Sequence, residues 1–395
     1  MDESERRERW VEAGHNPLRL PTAHVPHDLF SDVPHRVLVP ERERTAEDAD
    51  PDRIRAALSP LTGDARLALA TKGRSAENAL VDALELDGPP TVLTHGLFTT
   101  TYAALGRRAA VCEDVRLAAA DGSADIDTDH LDERLAATKA RIVYLEVANN
   151  AWFGWPLSYA NVAAVREVCD RHGAKLLLDA ARPLSNAVGL GSSDVVGDAR
   201  KLLGLAHAFT ISCAKEMLVP TGSVIGSPDA ALIGRAWMHL FKQGTSLSMM
   251  DPPQLRADLH DGARYGLAHS ELVGERNALV RRLGAAVKAA GVPIVEPMTA
   301  HAVYIPLDKT LLAGEVPALI SLLSQLYLVA GVRAQVSTTK RGPMFRLAVP
   351  LCATLDVDAI AKGIAACFAR IAERPALQAS DGQVDVPYFR RFALA

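Results

Sequence analysis

Short apolar runs alternate with amphipathic segments between about residue 53 and residue 227. The runs lie at residues 65–71, 92–94, 110–117, 142–147, 176–178, 208–211 and 223–226. Between most of them apolar positions recur with helical spacing, as in the segment that Ser158 opens and Gly173 closes. Because strands buried on both faces of a parallel sheet read as continuous apolar runs, the pattern predicts an α/β domain with a mostly parallel sheet.

The chain after about residue 227 has a different pattern. Helical periodicity continues to about residue 290, and strand patterns follow at residues 302–305, 332–336 and 345–349. Helical patterns at 315–329 and 356–372 alternate with these strands, and a charged helix at 4–13 opens the chain. We predict a large domain over residues 46–270, and a smaller α+β domain that combines residues 1–45 and 271–395.

Composition limits the classes of function. The 395 residues carry a formal net charge of −4, with 23% charged and 49% hydrophobic residues, which is typical of a soluble globular protein. Without a basic surface, nucleic acid is not expected as a partner. No apolar run reaches the ~18 residues of a membrane helix, and the charged N-terminus lacks a signal segment. We therefore expect a cytoplasmic protein with no membrane partner.

The cysteines do not indicate a structural framework. The five of them are scattered and form no C-x-x-C pair, so neither disulfides nor a metal site is predicted. Cys213 lies two residues before Lys215 and could be reactive, but its apolar surroundings favour a packing role.

Two apolar runs are followed by residues that can perform catalysis. Lys215 comes after the run 208–211, and Asp179 closes the run of three leucines before it. Ligands of α/β sheets bind at the carboxyl ends of strands, so both side chains are expected at the rim of a cleft. Pyridoxal phosphate (PLP) requires a lysine for its aldehyde and an acid for its pyridine nitrogen. The alternatives are a solvated loop lysine and an aspartate that caps a turn.

Three further positions suit the same cofactor. Lys72-Gly73-Arg74-Ser75 lies at a strand-to-helix turn, where backbone N–H groups and basic side chains favour a phosphate, although a plain loop is the alternative. Phe98 follows the predicted strand at 92–94, and its ring could lie against a cofactor ring or belong to the core. Asn149 and Asn150 follow another strand, where an amide could donate to a phenolate oxygen or cap a turn.

These residues together carry a family resemblance. A strand ending in Asp-x-x-Arg, followed by Ser-x-x-Lys, is the pattern of fold-type I PLP enzymes, which have an aspartate aminotransferase-like large domain. Within that class the chain resembles the β-eliminating lyases, the family of tryptophanase and tyrosine phenol-lyase. The matching segments run in order along almost the whole chain: Lys72-Gly-Arg-Ser-Ala-Glu-Asn78, Phe98-Thr-Thr-Thr101, Pro156-Leu-Ser-Tyr-Ala-Asn161, Asp179-Ala-Ala-Arg182, Ser212 to Gly222, Ala290 to Pro297, Arg346-Leu-Ala-Val-Pro350 and Phe389-Arg-Arg-Phe392.

The resemblance implies roles for the matching residues. Lys215 would form the internal aldimine and later take the α-proton, and Asp179 would pair with the pyridine nitrogen. Arg346 would bind the substrate carboxylate, a task that suits a bidentate guanidinium. Thr99 and Arg391 would also contact the substrate. The remaining cofactor contacts are implied to be Lys72, Gly73, Arg74 and Ser212 at the phosphate, Phe98 on the ring, and Asn150 and Arg182 at the phenolic oxygen.

The resemblance also implies the partners. Fold-type I enzymes generally form their active site at a dimer interface, so a homodimer or homotetramer is expected. The other partner is a small amino acid substrate, which would place the protein in amino acid metabolism.

The chain departs from the family in its substrate-recognising parts. A segment with a tyrosine that acts as general acid, and a glutamate that helps to hold a monovalent cation, is missing, since no tyrosine precedes Tyr102. Ser337 stands where the family sets its side-chain preference, and Arg391 replaces a histidine or phenylalanine. An arginine there would suit a polar or acidic β-substituent.

The leading interpretation is a PLP-dependent lyase that cleaves a C–C, C–S or C–O bond of an L-amino acid by β-elimination and yields a keto acid and ammonia. A retro-aldol cleavage of a β-hydroxy amino acid, or a β-substitution, would use the same aspartate and lysine. The third possibility is a homologue that binds the cofactor or a partner without turnover.

Overall fold

The structure is a computed structural model that describes residues 1–44, 48–86, 88–119, 122–312, 316–379 and 391–394. Phe389 and Arg390 of the C-terminal motif, and the predicted start of a helix at residue 315, lie outside the described residues. The chain divides into two compact units. The large unit is Val33–Asn277, and the small unit combines Met1–Asp32 with Ala278–Ala395.

Strands and helices are numbered along the whole chain. The strands are β1 His27–Asp28, β2 Arg66–Ala70, β3 Thr91–Thr94, β4 Val111–Asp114, β5 Ile142–Glu146, β6 Lys175–Asp179, β7 Ala208–Ser212, β8 Ser223–Ser227, β9 Ala302–Pro306, β10 Val332–Arg333, β11 Gln335–Thr339, β12 Gly342–Ala348, β13 Leu377–Ala379 and β14 Phe392–Leu394. The helices are α1 Glu3–Glu12, α2 Pro51–Thr62, α3 Gly73–Ala83, α4 Thr99–Gly106, α5 Thr128–Thr138, α6 Tyr159–His172, α7 Pro183–Gly189, α8 Val195–Gly204, α9 Cys213–Glu216, α10 Ala230–Lys242, α11 Pro253–Ala268, α12 Glu271–Ala289, α13 Val316–Ala330 and α14 Val357–Ala369.

A seven-stranded sheet forms the centre of the large unit, in the order β2-β8-β7-β6-β5-β3-β4. The five strands from β7 to β4 are parallel, and β8 runs antiparallel to both β7 and β2. The central strands are buried on both faces; every residue of β5 is buried. The predicted α/β class with a mostly parallel sheet is therefore confirmed, because continuous apolar runs mark strands covered on both sides.

Helix boundaries follow local capping chemistry. Ser158 caps α6 by accepting from the Asn161 N–H at 3.1 Å, and Gly173 ends the helix with a φ of 64°. These two predicted boundaries are confirmed. The turn predicted at residues 72–75, with the helix starting only at Ala76, is wrong by three residues, because α3 begins at Gly73. Since Ser75 and Ala76 already donate to the Lys72 carbonyl, the chain becomes helical as soon as it leaves β2.

The small unit is an α+β structure, as predicted. Its antiparallel sheet has the order β11-β12-β9. The helices α13 and α14 pack with this sheet around one buried apolar cluster, which includes Val303, Leu326, Phe345 and Ile364.

The single strand predicted at 332–336 forms two strands. β10 pairs in parallel with β1, whereas β11 pairs with β12, so Ala334 separates two different pairings. The predicted helix 356–372 ends at Ala369, followed by a 3-10 turn at Ile371–Glu373. Within the described residues, none of the helices combines the length and the apolar character that crossing a bilayer requires.

Candidate active site

Asp179 is the last residue of β6, at the carboxyl edge of the central sheet, and is 3% exposed. Thr101, on α4, donates its hydroxyl to Asp179 Oδ2 at 3.3 Å, and the Ala181 N–H donates to Oδ1 at 3.1 Å. These two donors hold the carboxylate in one orientation. Asp179 therefore ends a buried strand, as the leucine run predicted, and its place at the rim of a cleft stays a prediction.

Lys215 follows β7 at the same edge of the sheet. The alternative of a loop lysine does not apply, because the residue lies in α9, a helix of four residues that begins directly at the end of β7. Its Nζ lies 5.9 Å from the centroid of the Phe98 ring, over the ring face. Phe98 is the N-cap of α4, so one helix contacts Lys215 through Phe98 and Asp179 through Thr101.

The residues predicted at the phosphate lie in two segments that are distant in sequence, namely residues 72–74 after β2 and Ser212 at the end of β7. Gly73 is the first residue of α3, and Lys72, its N-cap, makes no side-chain capping bond. A Cβ built on Gly73 would lie 3.6 Å from Ser212 Oγ, so the two segments meet closely. Lys72 and Arg74 are both exposed around this point. The N–H groups of a helix's first turn have no intrahelical acceptor, which suits an anion.

The two neighbouring asparagines have different environments. Asn149 donates its Nδ2 to the Gly96 carbonyl at 2.7 Å and caps the 3-10 turn Asn150–Trp152, so the turn-capping alternative applies to it. Asn150 donates its N–H, at 3.2 Å, and its Nδ2 to Glu146 Oε1. Arg182, the other residue predicted at the phenolic oxygen, is 1% exposed and occupies the N-cap position of α7.

Three buried carboxyl groups gather around this edge, and we name Asp179, Glu146 and Glu77 the Asp179 cluster. Glu146 ends β5 as the register partner of Asp179 on β6. Burial, with the Asp179 charge beside it, raises the pKa of Glu146 to about 7. Burial and the same charge raise the pKa of Glu77, on α3, to about 8. The cluster is therefore poor in compensating charge for its degree of burial.

A second group of buried side chains lies directly behind the lysine, and we name Glu216, Ser185 and Arg276 the Glu216 cluster. Glu216 is 2% exposed and accepts from the Leu184 N–H at 2.8 Å and the Ser185 N–H at 2.9 Å. The Ser185 hydroxyl also donates to it, and Arg276 Nη2 lies 3.4 Å from the same Oε1. These bonds join α9 to the first turn of α7, which follows Arg182.

Three predicted substrate residues belong to the small unit. Arg346 is 4% exposed on β12, between register partners Gln335 and Tyr304. Ser337 lies on β11, opposite Met344. Arg391 is exposed and packs on Gly14, where an added Cβ would lie 2.5 Å from its Cγ. Their roles toward a substrate stay predictions, as does that of Thr99, which is exposed at the start of α4 of the large unit.

Cys213 is fully buried at the start of α9, and burial raises the pKa of its thiol to about 12. A neutral buried thiol is a poor nucleophile, so the favoured packing role is confirmed over the reactive one. Among the described residues, no three histidine, cysteine, aspartate or glutamate side chains are placed to hold a metal ion.

Comparison with known proteins assigns the family. A family model described as Beta-eliminating lyase matches residues 38–363. The chain belongs to the beta-eliminating lyase family. A probable tryptophanase of Halobacterium salinarum is 28% identical over 382 residues, covering 86% of this chain and 83% of its own. A tyrosine phenol-lyase of Clostridium tetani is 28% identical over 364 residues, covering 85% and 78%.

Solved structures share the fold of this beta-eliminating lyase family member. A threonine aldolase of Leishmania major matches with a TM-score of 0.65 at 14% identity, covering 88% of this chain and 99% of that chain. A serine palmitoyltransferase of Sphingomonas wittichii matches with a TM-score of 0.60 at 15% identity, covering 94% and 84%. At such identity the likeness shows the fold alone, and it confirms the predicted fold-type I architecture.

Sequence reasoning missed Glu146, Glu216 and Arg276 as parts of this family member's site. One signal was present for Glu146, because it is the single charged residue within the apolar run 142–147. A buried strand rarely carries an ionisable side chain without a partner or a function. No comparable signal marks Arg276, which lies in the long helix α12 and reaches Glu216 only through the fold.

Proposed function

We propose that this family member binds PLP at the carboxyl ends of β6 and β7 and acts on an L-amino acid. One observation carries the proposal: α4 contacts Lys215 through Phe98 and Asp179 through Thr101. A single rigid element thus brings together the lysine for the cofactor aldehyde, the acid for its pyridine nitrogen and an aromatic ring to cover it. Convergence of these three groups is what the cofactor requires of a protein.

The arrangement around Gly73 supports a phosphate site in the same cleft. The first turn of α3 begins at Gly73, close to Ser212 Oγ, with Lys72 and Arg74 exposed on either side. Backbone N–H groups, a hydroxyl and two cations form a donor set suited to a phosphate dianion. The residues present therefore fit PLP at its phosphate as well as at its pyridine ring.

Each residue has a definite task in the proposed site. Bound PLP supplies an electron sink that stabilises negative charge at the substrate Cα. Asp179, held by Thr101 and Ala181, retains a proton on the pyridine nitrogen. Asn150 and Arg182 donate to the phenolic oxygen, and Phe98 keeps water away from one face of the ring.

The reaction we propose is β-elimination. Arg346 binds the substrate carboxylate by a bidentate pair, and Lys215 Nζ takes the α-proton. The β-substituent would then leave with the electron pair of its C–C, C–S or C–O bond and take up a proton, and one water molecule would hydrolyse the remaining enamine to a keto acid and ammonia. Arg391 and Thr99 are proposed to contact the substrate side chain.

The proposal includes the organisation of the enzyme. The PLP-binding domain would lie within residues 46–270, and the flanking segments would form the smaller domain. Membership of the family supports an assembly of two or four identical chains, since fold-type I enzymes resembling this one complete their sites in dimers.

The decisive experiment combines a spectrum with product analysis. Purified protein is loaded with PLP, its visible absorption is recorded as L-amino acids are added one at a time, and pyruvate, other keto acids and ammonia are assayed. Lys215→Ala, treated identically, is the control. We expect particular amino acids to shift the cofactor band to longer wavelength and to yield keto acid with ammonia, in the wild type only.

Other outcomes would change the conclusion in defined ways. Glycine with an aldehyde among the products would indicate an aldolase, and a new amino acid would indicate β-substitution. Retained cofactor without α-deuterium exchange on any amino acid would indicate a non-catalytic homologue. Absence of any cofactor band from the wild type would overturn the assignment of Lys215.

A further inference from the structure

Glu146 lies beside Asp179 in the sheet. The two residues are register partners at the ends of the adjacent parallel strands β5 and β6. Neighbouring strands are about 4.8 Å apart, and register partners point to the same face, so both carboxyl groups face the same side of the sheet edge. Glu146 is 1% exposed and Asp179 is 3% exposed. Water therefore does not screen one charge from the other.

The hydrogen bonds of Glu146 are asymmetric. Oε1 accepts both the N–H and the Nδ2 of Asn150, whereas Oε2 is buried and meets no donor within the described part of the chain. An ionised carboxylate in that position would leave one oxygen desolvated and unbonded, which is costly. A neutral carboxyl group lowers this cost, because it buries no charge. The geometry by itself therefore favours a neutral Glu146 while the site is without cofactor.

The charges that face Glu146 point the same way. Asp179 on β6 and Glu77 on α3 are carboxyl groups, Tyr102 on α4 and Tyr144 on β5 are phenols, and Arg182 after β6 is the one cation among these five neighbours. The raised pKa of Glu146 follows from burial and Asp179, and is opposed by Asn150 and Arg182. A new positive charge beside Asp179 would lower the pKa of Glu146 and favour its ionised form.

We propose that Glu146 is a positioning residue that holds a dissociable proton beside Asp179, orients Asn150 toward the phenolic oxygen of PLP, and releases its proton when the cofactor's pyridinium binds. This inference rests on the proposed function. The Asn150 amide has two N–H groups, and the bond of its Nδ2 to Glu146 fixes the plane in which the second one points. Ionised Glu146 accepts more strongly than neutral Glu146, so proton release tightens the hold on Asn150.

The first test counts protons. PLP binding is measured by titration calorimetry in buffers of different ionisation enthalpy, between about pH 6 and pH 8. Wild type should release up to about one more proton per site than Glu146→Gln at the acidic end, and this difference should vanish at the alkaline end. Glu113→Gln, an identical change on the partly exposed strand β4 of the same sheet, should match the wild type. Equal proton counts for wild type and Glu146→Gln at every pH would overturn the inference.

A second measurement uses the protein without added PLP. Carbon-13 NMR of labelled glutamate carboxyls should show a resonance that titrates near neutral pH and is absent only from Glu146→Gln. Asn150→Ala, which keeps Glu146 but removes its side-chain donor, should move that midpoint to higher pH; an unmoved midpoint would refute the coupling to Asn150. If the wild type binds no PLP, the proposed function is wrong. A glutamate resonance that titrates near neutral pH and is absent from Glu146→Gln would still show that Glu146 holds a dissociable proton.

Discussion

The Glu216 cluster, built around one buried carboxyl group, and the Asp179 cluster, with three, both lie in the large unit, and their surroundings differ. The Glu216 carboxylate accepts from two backbone N–H groups and a hydroxyl, and it pairs with an arginine. The Asp179 cluster has three carboxyl groups, and two of them leave an oxygen with no donor in the described part of the chain, namely Glu77 Oε2 and Glu146 Oε2.

This difference separates a structural role from a functional one. A buried charge whose acceptors are all used has no capacity for a ligand, and breaking it mainly costs stability. Carboxyl groups crowded without sufficient donors have raised pKa values and are ready to respond to an incoming charge, which is typical of functional sites. We therefore infer that Glu216 fixes the positions of Lys215 and Arg182, whereas the Asp179 cluster is the one proposed to meet the cofactor.

The largest effect is expected in the Asp179 cluster, on activity alone. Asp179→Asn would remove the negative charge that we propose keeps the pyridine nitrogen protonated, and it would retain the side-chain shape. On the substrate found by the spectral assay, kcat/KM should fall on the order of 10²- to 10⁴-fold, with little change in Tm. Asp198→Asn, on the exposed face of α8, should change neither quantity. A large fall in Tm with normal kcat/KM would mean that Asp179 has a structural role, and the proposed difference between the two clusters would be wrong.

The next effect is expected in the Glu216 cluster, on stability. Glu216→Ala leaves the Arg276 guanidinium buried without its carboxylate and removes the acceptor of two N–H groups, so the free energy of unfolding should fall by about 3–5 kcal/mol. Glu216→Gln keeps an acceptor and should cost less, about 1–3 kcal/mol. Denaturant unfolding of both variants measures this. If both match the wild type, the cluster does not fix the positions of Lys215 and Arg182.

The smallest effect is a pH dependence that only the Asp179 cluster should produce. Because the folded pKa values of Glu146 and Glu77 are raised to about 7 and about 8, the native state keeps protons that the unfolded chain loses near its ordinary pKa of about 4.5. The stability from this uptake is complete below the unfolded pKa and is lost as pH rises through the folded values.

Variants isolate that contribution. In the protein without PLP, the unfolding free energy of the wild type should fall between about pH 5 and pH 8. In Glu146→Gln this fall should be smaller by on the order of 2–3 kcal/mol. Glu113→Gln, at a partly buried position paired with Arg134, serves as the control, and its curve should keep the wild-type slope over this pH range. Parallel curves for wild type and Glu146→Gln, measured by denaturant unfolding at each pH, would contradict the raised pKa of Glu146.

Local patterns were sufficient for most of the elements. Capping residues such as Ser158 and Asp127, which accepts from the His130 N–H, mark helix ends through bonds within four residues. Continuous apolar runs identified the central strands, because burial on both faces leaves few polar positions. Strand division at Ala334 was not predictable, since β10 pairs with the distant β1 near the N-terminus whereas β11 forms a hairpin with the next strand, β12.

What the sequence by itself determined is the identity and approximate place of the main chemical groups: a lysine and an aspartate at the ends of buried strands, a glycine at a strand-to-helix turn, and the family. Parallel strands present their carboxyl ends at one edge, so position along each strand already implied convergence. Only the tertiary structure decided which groups lie close enough together, and are buried enough, to interact. The raised pKa of Glu146, the meeting of Gly73 with Ser212 and the pairing of Glu216 with Arg276 depend on distances between segments far apart in the chain, and no local pattern encodes them.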